Sequence, residues 1–88
     1  MHTLLLQNKP RAGSSGNTWS IEVIGQDSAV KTAVKEAIRN LEYHPAKAAR
    51  RSLIDMLTLI ENFNFEIKYT EHFYTDDNLE GWSFILQG

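Results

Sequence analysis

Residues 63–74 read FNFEIKYTEHFY, and the first eight letters of this stretch decide the fold. Apolar side chains alternate there with polar ones at Phe63, Phe65, Ile67 and Tyr69. That period of two indicates a half-buried β-strand, which continues to Phe73 or Tyr74. A polar turn follows at residues 75–81, and the same alternation returns at Trp82, Phe84 and Leu86. The last third of the chain therefore predicts a β-hairpin.

Two amphipathic helices are predicted before this hairpin. Apolar residues recur at spacings of three and four over residues 30–41 and again over residues 46–60. Asp27 or Ser28 supplies the N-cap oxygen of the first helix. This helix should end near Tyr43, because the nearby Pro45 disfavours helical backbone before it and suits the first turn of the second helix. So short a connection predicts an antiparallel helical hairpin.

A further pair of strands is predicted at the start of the chain. Thr3–Gln7 is short and apolar, residues 8–17 are rich in turn-forming residues, and Trp19, Ile21 and Val23 alternate with polar neighbours. The order is therefore ββααββ. It predicts a single α+β domain over residues 1–88, with a four-stranded, mainly antiparallel sheet and the helical hairpin packed on one face.

The alternation also predicts which side chains form the core. The inner sheet face should present Trp19, Ile21, Val23, Phe65, Ile67, Trp82 and Phe84. The helices should cover this face with Val34, Ile38, Leu53 and Leu57. Leu5, Ile24 and Ile85 then point away from the core, and together with an unpaired sheet edge they favour a homodimer.

Composition narrows the classes of function. The 88 residues contain no cysteine, which excludes a disulfide scaffold, a thiolate metal site and a cysteine nucleophile. No apolar run is long enough to span a membrane, and no secretory signal pattern is present, so a cytoplasmic protein is expected.

No motif points to catalysis or to a cofactor. The three histidines have no metal-ligand spacing, and there is no phosphate-binding loop, dinucleotide fingerprint or nucleophile elbow. Asp76, Asp77 and Glu80 lack the spacing of a calcium loop, so an acidic turn is the simpler interpretation. The sequence therefore predicts no enzyme, no metal and no cofactor.

Charge is segregated along the chain. Residues 1–51 hold eight Lys and Arg against four Asp and Glu, a net charge of +4, whereas residues 52–88 hold one against seven, a net charge of −6. The helical hairpin should gather a basic patch made of Lys35, Arg39, Lys47, Arg50 and Arg51. Cations in the first turns of the second helix oppose its macrodipole, which suggests an anionic partner. The second hairpin should carry an acidic group made of Glu71, Asp76, Asp77 and Glu80.

These features favour a non-enzymatic protein-binding module. Such a module would be a small adaptor, regulator or inhibitor that acts by surface occlusion on another protein or complex, including one that processes nucleic acid. The alternative is a nucleic-acid-binding protein that uses the basic helical hairpin and the loop with Lys9 and Arg11. The net charge of −2 opposes this alternative, because dedicated nucleic-acid binders carry a strongly basic footprint.

Overall fold

The structure, a computed structural model, describes residues 3–10, 19–41, 49–75 and 79–88. Its elements follow the predicted ββααββ order. They are β1 (Thr3–Pro10), β2 (Trp19–Gly25), α1 (Ser28–Leu41), α2 (Ala49–Asn62), β3 (Glu66–Tyr74) and β4 (Glu80–Gln87). The predicted helix boundaries at Tyr43 and Pro45 lie outside the described residues, as do residues 11–17 of the predicted first loop.

The four strands form one antiparallel sheet in the order β2-β1-β4-β3. Helix α1 packs over β2, and α2 packs over β1, β2 and β4. The α+β class, the element order and the antiparallel sheet are thus confirmed. Both helices contribute to one apolar core with the same sheet face, so one face of the sheet is covered by α1 and α2 and neither of these two helices packs on the other face.

The core lies between the helices and the three strands that they cover. Its buried members are Leu4, Leu6, Ile21, Val23, Val34, Ile38, Met56, Leu59, Ile60, Phe84 and Leu86. Trp19 is also buried, while Leu53, Phe65 and Trp82 are partly buried. Two predicted core residues are wrong: Leu57 is 43% exposed on α2, and Ile67 is 44% exposed because β3 lies beyond the helices.

Helix α1 begins as the sequence predicts. The backbone N–H of Val30 donates to Asp27 Oδ1 at 3.0 Å, and the N–H of Lys31 donates to the Asp27 carbonyl at 2.9 Å. Asp27 is therefore the N-cap, and it satisfies one of the amides that the first helical turn leaves without a partner.

Strand β1 extends three residues beyond its predicted end at Gln7. Asn8, Lys9 and Pro10 continue the pairing with β2, so the predicted loop over residues 8–17 is wrong at its first three positions. Asn8 is fully buried: its Nδ2 donates to Ser52 Oγ at 2.7 Å, and its Oδ1 accepts the N–H of Trp82 at 2.6 Å. This turn-forming residue is accommodated in a strand because its polar atoms have partners on α2 and β4.

The end of α2 replaces the predicted start of the third strand. The N–H of Phe65 donates to the Ile60 carbonyl and the N–H of Asn64 to the Glu61 carbonyl, while Asn64 has a φ of 56°. This pattern is a Schellman cap with Asn64 in the left-handed region. Phe63 and Phe65 consequently belong to the cap, where their rings stack with centroids 5.6 Å apart.

A β-bulge changes the face of β3. Ile67 lies opposite Leu86, but two residues later Tyr69 lies opposite Ile85, the next residue along β4. Residues directly opposite each other share a face, so Ile67 points to the helical side and Tyr69 to the other side. The predicted placement of both on one alternating face is therefore wrong, because the extra residue in a bulge reverses the alternation.

Candidate protein-interaction surface

Strand β3 is an exposed edge of the sheet. Among the described strands it pairs with β4 alone, and eight of its nine residues are exposed. Tyr69 and Tyr74 keep 56% and 62% of their surface accessible. Edge strands offer unpaired backbone groups to other chains, and proteins usually cover, charge or shorten them. A long edge strand with exposed aromatic side chains is consequently a candidate site for another strand.

The hairpin geometry shows which backbone groups point outward. The N–H of Thr75 donates to the Leu79 carbonyl at 2.9 Å, so this pair at the end of the hairpin is of the hydrogen-bonded kind. Such pairs alternate with non-hydrogen-bonded pairs along an antiparallel ladder. His72 and Trp82 therefore form a non-hydrogen-bonded pair. The N–H of Trp82 supports this assignment independently, because it points toward β1 and donates to Asn8 Oδ1.

It follows that three residues of β3 direct both backbone groups to the open edge. These residues are Thr70, His72 and Tyr74, which occupy alternate positions. The backbone groups of Tyr69, Glu71 and Phe73 are directed to β4 instead. The bulge interrupts the register between Ile67 and Tyr69, so the regular part of the open edge is residues 69–74.

An aromatic cluster lies on the helical side of this edge. The His72 ring stacks on Trp82 with centroids 4.9 Å apart, and Tyr74 lies 5.2 Å from His72. Nε2 of His72 is 3.1 Å from Glu80 Oε2, and Arg50 Nε is 3.9 Å from Glu80 Oε1. The His72 ring therefore contacts both Trp82 and Tyr74 at the edge of the sheet.

The other side of β3 alternates apolar and acidic side chains. Tyr69, Glu71 and Phe73 share this face, opposite Ile85, Ser83 and Gly81 on β4. The Phe73 ring covers Gly81 so closely that a Cβ on Gly81 would lie 2.6 Å from Phe73 Cζ. Within the described part of the chain no ion pair involves Glu71.

The opposite edge of the sheet, formed by β2, is accompanied by a helix and by charged side chains. Strand β2 has α1 packed over it, and Lys9 Nζ on the neighbouring strand lies 2.5 Å from Glu22 Oε2. Gln7 Nε2 also donates to Glu22 Oε1 at 2.8 Å. Two hydrogen bonds lower the pKa of the Glu22 carboxyl below its usual value. The larger contribution comes from Lys9 and the smaller from Gln7. Charged side chains and a covering helix are ordinary ways to protect an edge strand.

The structure divides the predicted basic patch. Lys35 and Arg39 lie together on α1, where they line a shallow groove along β2. Arg50 lies instead beside Glu80 of β4, on the far side of β1, and Arg51 is exposed on α2. Lys47 lies outside the described residues. A role for these cations in partner binding stays a prediction.

The predicted acidic group is also divided. Glu71 lies opposite Ser83 and Glu80 lies opposite Tyr74, so the two carboxylates project from opposite faces of the hairpin. Glu80 faces His72 and Arg50, whereas Glu71 lies on the face without helices. Asp76 and Asp77 lie outside the described residues.

Sequence reasoning did not find the open edge as a specific site. It predicted an unpaired edge without saying which strand forms it, because strand order is a long-range property. The polar turn at residues 75–81 predicted the hairpin, and turn length and type set its register, but neither shows which strand of the hairpin lies at the edge of the sheet.

The described residues show no site of another class. No group of three or more His, Asp or Glu side chains there could hold a metal ion. Neither described helix has the length and apolar character needed to cross a bilayer.

Comparisons with known proteins supply no relative. No protein-family model, no curated protein and no solved structure matches the chain.

Proposed function

We propose that this protein is a non-enzymatic protein-binding module that receives an extended segment of another protein on the open edge of β3. One observation carries the proposal: Thr70, His72 and Tyr74 direct their backbone N–H and C=O groups away from β4. A strand added there would gain main-chain hydrogen bonds from these groups and side-chain contacts from both faces of the sheet.

The shape of the helical layer supports the same function. The helices cover β2, β1 and β4 and leave β3 beyond the layer. An added strand would lie next to Tyr69 and Tyr74 without displacing any part of the core. A small adaptor, regulator or inhibitor could in this way occupy a segment of its target.

Hydrogen exchange of the full chain tests whether the edge is open. The amides of Glu71 and Phe73 should exchange slowly, because they are directed to β4. The amides of Thr70, His72 and Tyr74 should exchange rapidly in the free protein and slowly in the presence of a bound partner. Slow exchange at all five positions in the dilute monomer would show that the edge is covered and would contradict the proposal.

A matched pair of variants tests whether the edge binds. Thr70→Pro removes an outward N–H, whereas Thr70→Val keeps that N–H together with a β-branched side chain. Partners captured from the host proteome should be retained by Thr70→Val and lost with Thr70→Pro. A partner identified in this way must then be shown to slow exchange at Thr70, His72 and Tyr74. Equal capture by both variants, with both folded by circular dichroism, would place binding elsewhere.

A further inference from the structure

We infer that the segment received by β3 carries a basic residue between two apolar residues, in the pattern apolar–x–basic–x–apolar; this inference rests on the proposed function. The pattern follows from the rows of side chains that cross the face of the sheet without helices. An added strand continues those rows, so each of its outward residues has a defined neighbour.

The first row is apolar. Register places Ile24, Leu5, Ile85 and Tyr69 side by side across all four strands. Ile24 and Tyr69, the two ends of this row, are each more than half exposed. An apolar residue opposite Tyr69 would extend the row by one strand and remove apolar surface from water on both sides.

The next row is polar and ends on Glu71, which forms no ion pair with any described residue. Glu22, Gln7, Ser83 and Glu71 lie side by side in it. Glu22 is occupied by Lys9 and Gln7, and on the neighbouring part of β3 Glu66 lies 3.1 Å from Lys68. Among the described carboxylates of this face, Glu71 is therefore the one left for an incoming cation.

The direction of the Glu71 backbone groups also favours a close pair between Glu71 and a basic residue of the added strand. Glu71 directs its backbone groups to β4, so its pair with an added antiparallel strand is of the non-hydrogen-bonded kind. Side chains approach most closely in such pairs, with Cα atoms about 4.5 Å apart. A Lys or Arg at that position would face Glu71 directly.

The third row ends on Phe73, whose ring covers Gly81. A second apolar residue of the partner would lie opposite this ring. The three rows together give the pattern, which reads the same in either chain direction.

The described strands of a second copy of this chain do not match the pattern. The corresponding residues of β3 are Tyr69, Glu71 and Phe73, an apolar–x–acidic–x–apolar series. None of the described strands has a basic residue flanked at both alternate positions by apolar residues. The occupant that we infer is therefore a segment of a different protein, and not a described strand of a second copy.

Two synthetic peptides test the inference on the full chain: acetyl-Thr-Val-Thr-Lys-Thr-Val-Thr-amide, and the same peptide with Glu in place of Lys. Binding is followed by NMR through the amide signals of Thr70, His72 and Tyr74. The Lys peptide should slow exchange at these amides, and the Glu peptide should bind roughly fivefold more weakly, as expected for exchanging one opposite-charge cross-strand pair for a like-charge pair. The charge reversal Glu71→Lys should invert this preference.

Glu61→Lys is the matched control, because it makes the same charge change on the exposed surface of α2. It should leave the preference for the Lys peptide intact. Equal binding of both peptides, or no binding of either, would overturn the inference, and the proposed function would still stand if a partner lost with Thr70→Pro slows exchange at the edge. Exchange that slows with rising protein concentration alone would identify a second copy as the occupant and overturn the inference as well.

Discussion

At the scale of single residues, Asn8 is a buried polar side chain whose amide needs hydrogen-bond partners. It is fully buried and connects three elements, because it contacts Ser52 on α2 and accepts the N–H of Trp82 on β4. Asn8→Leu should lower the free energy of unfolding by about 1–3 kcal/mol, since it leaves the Trp82 N–H buried without an acceptor. Urea denaturation measures this loss.

Ser52→Ala provides the comparison for that prediction. It removes the Ser52 Oγ acceptor of Asn8 Nδ2, but this nitrogen still donates to the Ala49 carbonyl at 3.4 Å. The expected loss is therefore smaller, at about 1 kcal/mol. Equal stability of Asn8→Leu and the unchanged protein would mean that the Trp82 N–H has another acceptor.

Glu22 gives the stability of the protein a pH dependence. Its pKa is lower in the folded protein than in the unfolded chain, because Lys9 and Gln7 donate hydrogen bonds to the carboxylate. The resulting stabilisation is present above the ordinary pKa of Glu and is lost as pH falls through the lowered pKa. Lys9→Met should therefore reduce stability at neutral pH, by no more than about 1 kcal/mol for so exposed a pair, and should have little effect near pH 2.

Urea unfolding as a function of pH checks this expectation. Lys31→Met is the control, because Lys31 on α1 does not line the groove beside Glu22. A loss of stability for Lys9→Met that stays constant from neutral to acid pH would contradict the assigned role of Glu22.

The environment of Asn8 could not have been predicted from its neighbours in sequence. Asn favours turns, and the residues after it are rich in Gly and Ser, so a loop was the natural interpretation. Its partners Ser52 and Trp82 lie 44 and 74 residues away, and only the assembled sheet and helix bring them to it. Asp27, by contrast, was predictable because an N-cap acts on the amides of its own helix.

At the scale of elements, the C-terminal cap of α2 determines how substitutions at Asn64 should change the stability of the protein. Asn64 has a left-handed backbone, which glycine adopts without steric cost and β-branched residues adopt rarely. Asn64→Gly should preserve stability or raise it slightly, whereas Asn64→Val should lower it by about 1–2 kcal/mol. Asn62→Val, at the last position of the helix, should have a much smaller effect. Comparable losses at both positions would contradict the cap assignment.

The elements themselves were largely predictable, and their junctions were not. Periods of two and near 3.6 identify strands and helices, which is why the order of six elements is confirmed. Alternation alone does not separate Phe63 and Phe65 in a helix cap from Ile67 in a strand, nor does it show the bulge before Tyr69. Strand order also depends on contacts between distant segments, so the exposure of β3 required the structure.

At the scale of the whole molecule, the helical layer decides which apolar residues stabilise the fold. Leu6 and Met56 are fully buried between the layers, so Leu6→Ala and Met56→Ala should each cost about 2–5 kcal/mol. Ile67 and Leu57 lie outside the covered area, and their replacement by Ala should cost less than about 1 kcal/mol each. Thermal melts resolve this difference, because 1 kcal/mol shifts the midpoint by about 4–8 °C in a domain of this size. A loss at Ile67 as large as that at Leu6 would mean that the helical side of β3 is covered in solution, which would contradict the placement of β3 beyond the helical layer.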